Sequence, residues 1–116
     1  MNVHKNDLSR LSTRALRARR RRLAAQLGDV EMVLAGSLVE ETRRCGKPGC
    51  RCAGGDPHGP YAYFAPKTAG RGRSKYVPAN LVARVRAGLA RGEQVEAVLA
   101  DISAINAELL ARRELT

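Results

Sequence analysis

The feature that most constrains this chain is a 16-residue stretch, CGKPGCRCAGGDPHGP at positions 45–60, that contains almost nothing apolar. Five glycines and three prolines break up both helical and strand patterns over this stretch. Fixing the backbone of one residue costs roughly 1–2 kcal/mol of conformational entropy, which burial of apolar side chains normally offsets. We therefore expect these residues to be ordered only if something other than hydrophobic burial holds them.

Four potential metal ligands lie within this stretch, namely Cys45, Cys50, Cys52 and His58, in the pattern Cys-x4-Cys-x-Cys-x5-His. Zinc prefers four tetrahedral thiolate or imidazole ligands, and three cysteines with one histidine are a common structural set. A structural zinc site contributes on the order of 10 kcal/mol to folding. The sequence therefore predicts a structural zinc ion bound by these four side chains.

Three other interpretations of the cysteines remain open: small apolar side chains of a reduced protein, an iron–sulfur cluster with one histidine ligand, and a redox-active pair. A catalytic zinc ion is disfavoured, because four protein ligands leave no open position and no glutamate lies nearby to act as a base. No nucleophile is paired with a base elsewhere in the sequence. The sequence therefore predicts a protein that is not an enzyme.

Positive charge is concentrated in two blocks of the chain. Residues 1–27 carry a net charge of +7 and residues 43–80 carry another +7, whereas residues 28–42 carry −4 and residues 81–116 are balanced. Most of the basic residues are arginines, whose planar fork of donors suits phosphate. A GC-rich genome would explain the excess of arginine over lysine, but it would not explain the clustering. The charge pattern predicts a nucleic-acid partner, with DNA favoured.

The hydrophobic pattern predicts an α+β fold with two long helical segments packed antiparallel, a small three-stranded antiparallel meander and a Cys3His knuckle between them. Leucines at helical spacing predict a basic helix over 7–36, with a cap at Asp7 or Ser9, a weak point at Gly28 and a stop at Gly36. Strands are predicted at 37–43, 61–65 and 73–77, within a meander that spans 37–78. A helical region is predicted over 79–115 with a kink at Gly92. The whole chain, 1–116, is predicted to be a single domain.

The predicted nucleic-acid contacts are the basic residues of both blocks and two tyrosines interleaved with the second block. They are Arg14, Arg17, Arg19, Arg20, Arg21, Arg22, Arg43, Arg44, Lys47, Arg51, Arg71, Arg73, Lys75, Tyr61 and Tyr63. Arginines would neutralise phosphates, and tyrosines could stack on bases. Two alternatives stay open: the arginine run could be a solvated helix face, and the tyrosines could form the meander's own core. If the tyrosines are not the core, Phe64, on the opposite face by strand alternation, should be.

A second functional hypothesis is a protein-interaction or coiled-coil adaptor, which would act as a homodimer or within a larger complex. An apolar seam along the last helix would supply the interface: Val95, Val98, Leu99, Ile102, Ile105 and Leu109. Asn106 lies beside this seam, where a buried asparagine can fix the register of a dimer.

No apolar run approaches the roughly 20 residues that a membrane span requires, and the first residues lack the apolar stretch of a signal peptide. Three cysteines within eight residues suit a reducing compartment better than a disulfide framework. We therefore expect a cytoplasmic protein with no membrane partner.

Four segments carry a family resemblance: GSLVE at 36–40, RCGKPGCRC at 44–52, HGPYAY at 58–63 and KYVP at 75–78. They resemble an uncharacterised family of small bacterial proteins that share a CGKxxCRC…HGPYxY…YVP core between two helices. The resemblance covers about residues 30–112 and leaves the N-terminal arginine run outside it. Members are often encoded beside recombinases or transposases. The resemblance therefore implies an accessory role in a mobile-element or recombination system, by association only.

Overall fold

A computed structural model describes residues 8–67 and 72–116 of the chain. These residues group into two compact units, one formed by 8–31 with 93–116 and the other by 32–67 with 72–92. The elements, in chain order, are α1 Thr13–Leu27, β1 Gly36–Arg43, a 3₁₀ turn Arg51–Ala53, β2 His58–Pro66, β3 Lys75–Val77, a second 3₁₀ turn Ala79–Leu81, and α2 Val82–Ala111.

The first helix is shorter than the predicted 7–36. It begins after Ser12, whose Oγ accepts a hydrogen bond from the Ala15 amide at 3.1 Å, as an N-cap does. It ends at Gly28, which has a φ of +47° that favours glycine. Asp29 then accepts a hydrogen bond from the Glu31 amide, which stabilises a turn. The prediction was wrong at both ends because these local caps outweigh the leucine periodicity; Asp7 lies outside the described residues.

The first unit consists of α1 and the second half of α2, which run antiparallel as predicted. Thr13, at the start of α1, donates a hydrogen bond to Glu114, whereas Arg20, further along α1, donates to Asn106. The core between the helices contains the buried residues Leu8, Leu16, Ile105 and Leu109, with Leu11, Leu23 and Ala104 packed against them. Leucines before and within α1 thus cover one face of α2.

The long helix α2 passes through Gly92 without a break, and the possible kink at this residue stays a prediction. Gly92 and Gly88 instead allow the segment around Leu34 to approach the helix closely. A Cβ on Gly92 would collide with the Leu34 carbonyl oxygen, and a Cβ on Gly88 would lie 2.8 Å from the Met32 carbonyl oxygen. The Leu34 amide donates to the Gly88 carbonyl at 3.0 Å. No helix in the described part of the chain is long and apolar enough to cross a membrane.

The second unit contains a three-stranded antiparallel sheet in the order β1-β2-β3, as the meander prediction required. The strand β2 is longer than predicted and begins at His58, whereas β3 is shorter and covers only Lys75–Val77. The register places Val39 opposite Tyr63, and Tyr63 opposite Tyr76. A register shift between Glu41 and Arg43 marks an irregularity where β1 enters the knuckle.

The two faces of this sheet differ in chemistry. Because side chains alternate along a strand, Ala62 and Phe64 share one face with Val77, and Tyr61 and Tyr63 share the other with Tyr76. Ala62 and Val77 are buried, whereas Tyr76 is 57% exposed. The tyrosines are therefore not the meander's core, and Phe64, on the opposite face, is half-buried.

Candidate metal centre and the adjoining tyrosine face

The knuckle, residues 44–58, connects β1 to β2 and carries all four predicted metal ligands. Cys45 follows the end of β1, and Cys50 precedes the 3₁₀ turn Arg51–Ala53, which contains Cys52. His58 is the first residue of β2. One turn and two strand ends thus direct these four side chains to a common point.

The four ligand atoms all lie within 4.8 Å of one another. Cys45 Sγ is 3.5 Å from Cys52 Sγ, and Cys50 Sγ is 3.2 Å from His58 Nε2. Tetrahedral zinc with Zn–S bonds of about 2.3 Å separates two sulfurs by about 3.8 Å. The observed distances are close to this spacing, so the group fits one metal ion bound by three thiolates and one imidazole.

Cys52 is the inner ligand, with a side chain only 1% exposed, whereas Cys45 is exposed. The Cys45 amide donates to Cys52 Sγ at 3.3 Å, and this hydrogen bond lowers the pKa of the Cys52 thiol. The Lys47 amide lowers the pKa of Cys45, but the neighbouring Cys50 and Cys52 side chains raise it, and the net shift is upward. The cluster thus contains one sulfur already stabilised as a thiolate, the form that binds metals.

Arg44 supports this centre from within the knuckle. Its guanidinium donates to the Cys52 carbonyl and to the Gly55 carbonyl, the latter at 2.9 Å. Cys50 adds a backbone bond by donating its amide to the Lys47 carbonyl at 3.2 Å. Outer groups of this kind orient the ligands of metal sites. Arg44 is exposed as well as bonded to the loop that carries the ligands, and its predicted contact with phosphate stays a prediction.

The tyrosine face is the sheet surface formed by Tyr61, Tyr63, Tyr76 and Arg43. Tyr63 and Tyr76 pack edge to face with centroids 5.8 Å apart. The Arg43 guanidinium lies 5.8 Å from the Tyr61 ring centre and 5.4 Å from that of Tyr63. It also donates to Tyr63 Oη at 2.6 Å and to Glu41 at 3.2 Å. The Glu41 hydrogen bond raises the pKa of Arg43, which remains a cation on an aromatic surface.

The tyrosine face adjoins the metal centre directly. One depression of about 420 Å³ is lined by Arg43, Arg44, Cys45, His58 and the three tyrosines. This volume falls within the range of roughly 300–1,000 Å³ that is typical of ligand sites. Two of the four candidate metal ligands thus form part of its wall, so ordering of the knuckle also shapes the depression.

The predicted phosphate contacts of the second block differ in exposure and in the face of the sheet on which they lie. Arg43, Lys47, Arg51, Arg73 and Lys75 are exposed, and Arg71 lies outside the described residues. Lys75, however, pairs in register with Phe64, so its side chain belongs to the face opposite the tyrosines. The expected clustering of Lys75 with the tyrosines is therefore wrong, because strand alternation separates them.

The arginine run on α1 is divided in the same way. Arg17 donates to the Glu114 carbonyl and to Thr116 Oγ1, and Arg20 donates to Asn106 and to the Thr116 backbone oxygen. These two arginines therefore have hydrogen-bond partners within the first unit, and their role as phosphate contacts stays a prediction. Arg19 is half-buried and lines a cavity of about 400 Å³. The predicted contacts that remain exposed on this helix are Arg14, Arg21 and Arg22.

The predicted interaction seam is partly used within the chain. Ile105 and Leu109 are buried in the first unit's own core, so they are not available to a partner. Val95, Val98 and Ile102 are half-buried, and Leu99 is 51% exposed. Asn106, expected to fix the register of a dimer, accepts a hydrogen bond from Arg20 instead. The adaptor hypothesis stays a prediction that now depends on Leu99 and the three half-buried residues.

Two residues of this region were not among the predicted contacts. Tyr76 joins the tyrosine face because its register places it opposite Tyr63. Glu41 brings an acid to the same face, opposite Tyr61. The KYVP motif contains Tyr76, but only the pairing of β2 with β3 reveals which face it occupies. Because side chains alternate along a strand, Glu41 could have been predicted from the sequence to share a face with Arg43. The irregularity between these two residues makes that prediction weaker.

A comparison with protein families gives one match. A family model with the description "Domain of unknown function" (DUF6788) matches residues 13–87. The matched segment starts with α1 and therefore includes the arginine run, and it ends within α2. It begins and ends earlier than the range of about 30–112 expected from the motifs. Neither a curated protein nor a solved structure gives a significant match.

Proposed function

The chain belongs to the DUF6788 family of unknown function, and from the chemistry of its site we propose that it is a nucleic-acid-binding accessory protein, with DNA as the favoured partner. It would bind phosphates through the exposed basic residues of two blocks. In the second block the exposed predicted contacts are Arg43, Arg44, Lys47, Arg51, Arg73 and Lys75. Such a protein would suit a mobile-element or recombination system.

The observation that carries this proposal is the charge around the tyrosine-lined depression. Residues 43–80 hold eight basic residues and one acid, Asp56. Lys47 and Arg51 are exposed on the knuckle, and Arg43 lies on the tyrosine face itself. Exposed cations beside a concave aromatic surface favour a polyanion that also carries rings, which describes nucleic acid.

The knuckle's metal would be zinc in a structural role, because three thiolates and one imidazole are a typical closed zinc set. The apolar residues of the second unit are few, and Ala62, Val77 and Cys52 are its buried ones within 32–67 and 72–92. So small a core leaves the knuckle dependent on the metal. With all four positions filled by protein, the proposal includes no catalytic step. Three reduced thiolates also support a cytoplasmic location.

The test is the salt dependence of binding by the zinc-loaded full chain. Labelled single-stranded and duplex DNA of equal length are titrated while salt is raised from roughly 50 to 200 mM, and affinity is measured by fluorescence anisotropy. Each neutralised phosphate contributes about 0.7 (single strand) to 0.9 (duplex) to the slope of log affinity against log salt. We expect a steep negative slope. Absence of binding at low salt, or binding that is independent of salt, would contradict the proposed function.

A further inference from the structure

We infer that the tyrosine face binds unpaired bases, so that the substrate class is single-stranded nucleic acid. This inference rests on the proposed function and adds how the ligand is held. A base stacks on the exposed tyrosine rings within the depression, while its flanking phosphates meet the knuckle cations. The juxtaposition that carries it is three tyrosines and one arginine on a single sheet face, beside the Cys3His centre.

The aromatic rings are accessible to a ligand. Tyr76 is 57% exposed, and Tyr61 and Tyr63 are half-buried, so none of the three residues is enclosed by the protein. The edge-to-face contact of Tyr63 with Tyr76 sets their planes at 66° to one another. Two ring surfaces that meet at this angle form a corner in which a flat base can stack on one ring and contact the edge of the other. Successive bases stacked on aromatic side chains are the usual mode of single-strand binding.

The shape of the site favours one unpaired base that enters the depression over the outer surface of a duplex. The depression of about 420 Å³ is lined by the three tyrosines together with His58 and Cys45. Bases of a duplex are stacked on each other and cannot enter a depression without being flipped out, whereas bases of a single strand can be splayed out and inserted. The depression therefore discriminates against duplex.

The charge on this face is also modest. Arg43 is paired with the exposed Glu41 at 3.2 Å, so the tyrosine face carries less net positive charge than the knuckle beside it, although Arg43 can still contact phosphate. Lys47 and Arg51, on the neighbouring knuckle, are exposed and form no ion pair with an acid within residues 8–67 and 72–116. Attraction for the backbone thus comes mainly from the knuckle, whereas the tyrosine face offers ring surface. We therefore expect substitutions of the tyrosines to weaken binding of single strands, and substitutions of the knuckle cations to weaken binding of any polyanion.

The experiment uses tyrosine fluorescence, because the chain has three tyrosines and no tryptophan and all three lie on this face. The zinc-loaded full chain is titrated with single-stranded oligothymidine, single-stranded oligouridine, the same length of duplex DNA, and heparin as a polyanion without bases. We expect both single strands to quench the fluorescence on binding, heparin to bind with little quenching, and duplex to bind at least about tenfold more weakly than single-stranded DNA.

Two variants at one position separate ring stacking from folding. Tyr76→Leu removes a ring from the exposed strand β3, and Tyr76→Phe keeps it. Loss of one stacked base weakens binding by roughly fivefold to 150-fold. We expect a loss in this range for Tyr76→Leu with single strands, no change in its affinity for heparin, and affinity within about twofold of the original for Tyr76→Phe. An unchanged circular dichroism spectrum and an unchanged zinc content show that Tyr76→Leu is still folded.

The outcomes separate this inference from the proposed function. Salt-dependent binding with no quenching, with equal affinity for duplex, or with no effect of Tyr76→Leu would overturn the inference and leave the proposed function intact. Absence of binding to every nucleic acid would overturn both. Self-association in sedimentation experiments that Tyr76→Leu abolishes would assign the face to a second copy of the chain and would also overturn the inference.

Discussion

The backbone amide of Cys45 donates a hydrogen bond to the sulfur of Cys52, 3.3 Å away, although seven positions separate the two residues. This hydrogen bond joins the first residues of the knuckle to its 3₁₀ turn. The thiol of Cys45 is exposed, and that of Cys52 is buried. This bond uses a backbone group that no change of side chain removes. The inner sulfur is consequently held in place for a metal by the course of the chain itself.

Replacement of the histidine ligand is the first prediction. His58→Ala removes one of four donors, and we expect metal affinity to fall by more than about 100-fold, because loss of a merely supporting group costs about 10–100-fold. The chain's other histidine, His4, supplies the matched control His4→Ala, which should retain one zinc per chain. Metal content by elemental analysis and competition with a chelator measure both. Equal zinc content in the two variants would remove His58 from the ligand set.

Arg44 should affect metal binding without touching the metal. Arg44→Ala removes hydrogen bonds to the Cys52 and Gly55 carbonyls, so we expect zinc affinity to fall about 10–100-fold. Arg51→Ala, in the same loop but exposed, is the control and should bind zinc normally. A weaker zinc site in Arg51→Ala than in Arg44→Ala would show that loop charge matters more than these bonds.

Two adjacent arginines on α1 should behave differently. Arg20 donates to Asn106 and Thr116, so Arg20→Ala should lower the free energy of unfolding by about 1–3 kcal/mol. Arg21 is exposed, so Arg21→Ala should leave stability within about 0.5 kcal/mol and reduce the salt slope of DNA binding by about 0.7–0.9. Urea unfolding and anisotropy titrations measure the two effects. The assignment fails if the two variants exchange phenotypes.

Leu109 and Leu110 provide a matched pair on α2. Leu109 is fully buried against the first unit's core and Leu110 is 58% exposed. Leu109→Ala should reduce the free energy of unfolding by about 2–5 kcal/mol, and Leu110→Ala should change it by less than about 0.5 kcal/mol. Thermal and urea unfolding measure both variants. Similar losses would mean that Leu110 is also covered in solution, as a self-associating helix would require.

Gly92 reverses the usual effect of glycine in a helix. By helix propensity alone, Gly92→Ala would stabilise the protein by about 1 kcal/mol, but the added Cβ would collide with the Leu34 carbonyl. We therefore expect a loss of about 1–3 kcal/mol from overpacking. Ala90→Gly, at an exposed position of the same helix, should lose about 1 kcal/mol. Stabilisation by Gly92→Ala would show that the segment around Leu34 does not approach the helix as described.

Much of the fold and the metal ligand set followed from local pattern. The antiparallel helices and the meander order were predictable because apolar spacing and Gly/Pro breaks are properties of neighbouring residues. The end of α1 was missed because Gly28 and the Asp29 turn stop the helix inside a continuous leucine pattern. The sequence could not show that Gly92 lies inside a continuous helix, because a glycine that allows close packing and one that breaks a helix are identical in sequence.

By itself, the sequence predicted the metal ligand set, because an apolar-poor loop with three cysteines and one histidine has little hydrophobic burial to offset its ordering entropy. Only the tertiary structure shows which arginines bind other parts of the chain. Arg17, Arg20 and Arg44 use their donors within the chain, and strand register places Tyr76 beside Tyr63 while it turns Lys75 to the opposite face. The physical reason is that a side chain's charge is fixed by its type, whereas its partners depend on residues far away along the chain.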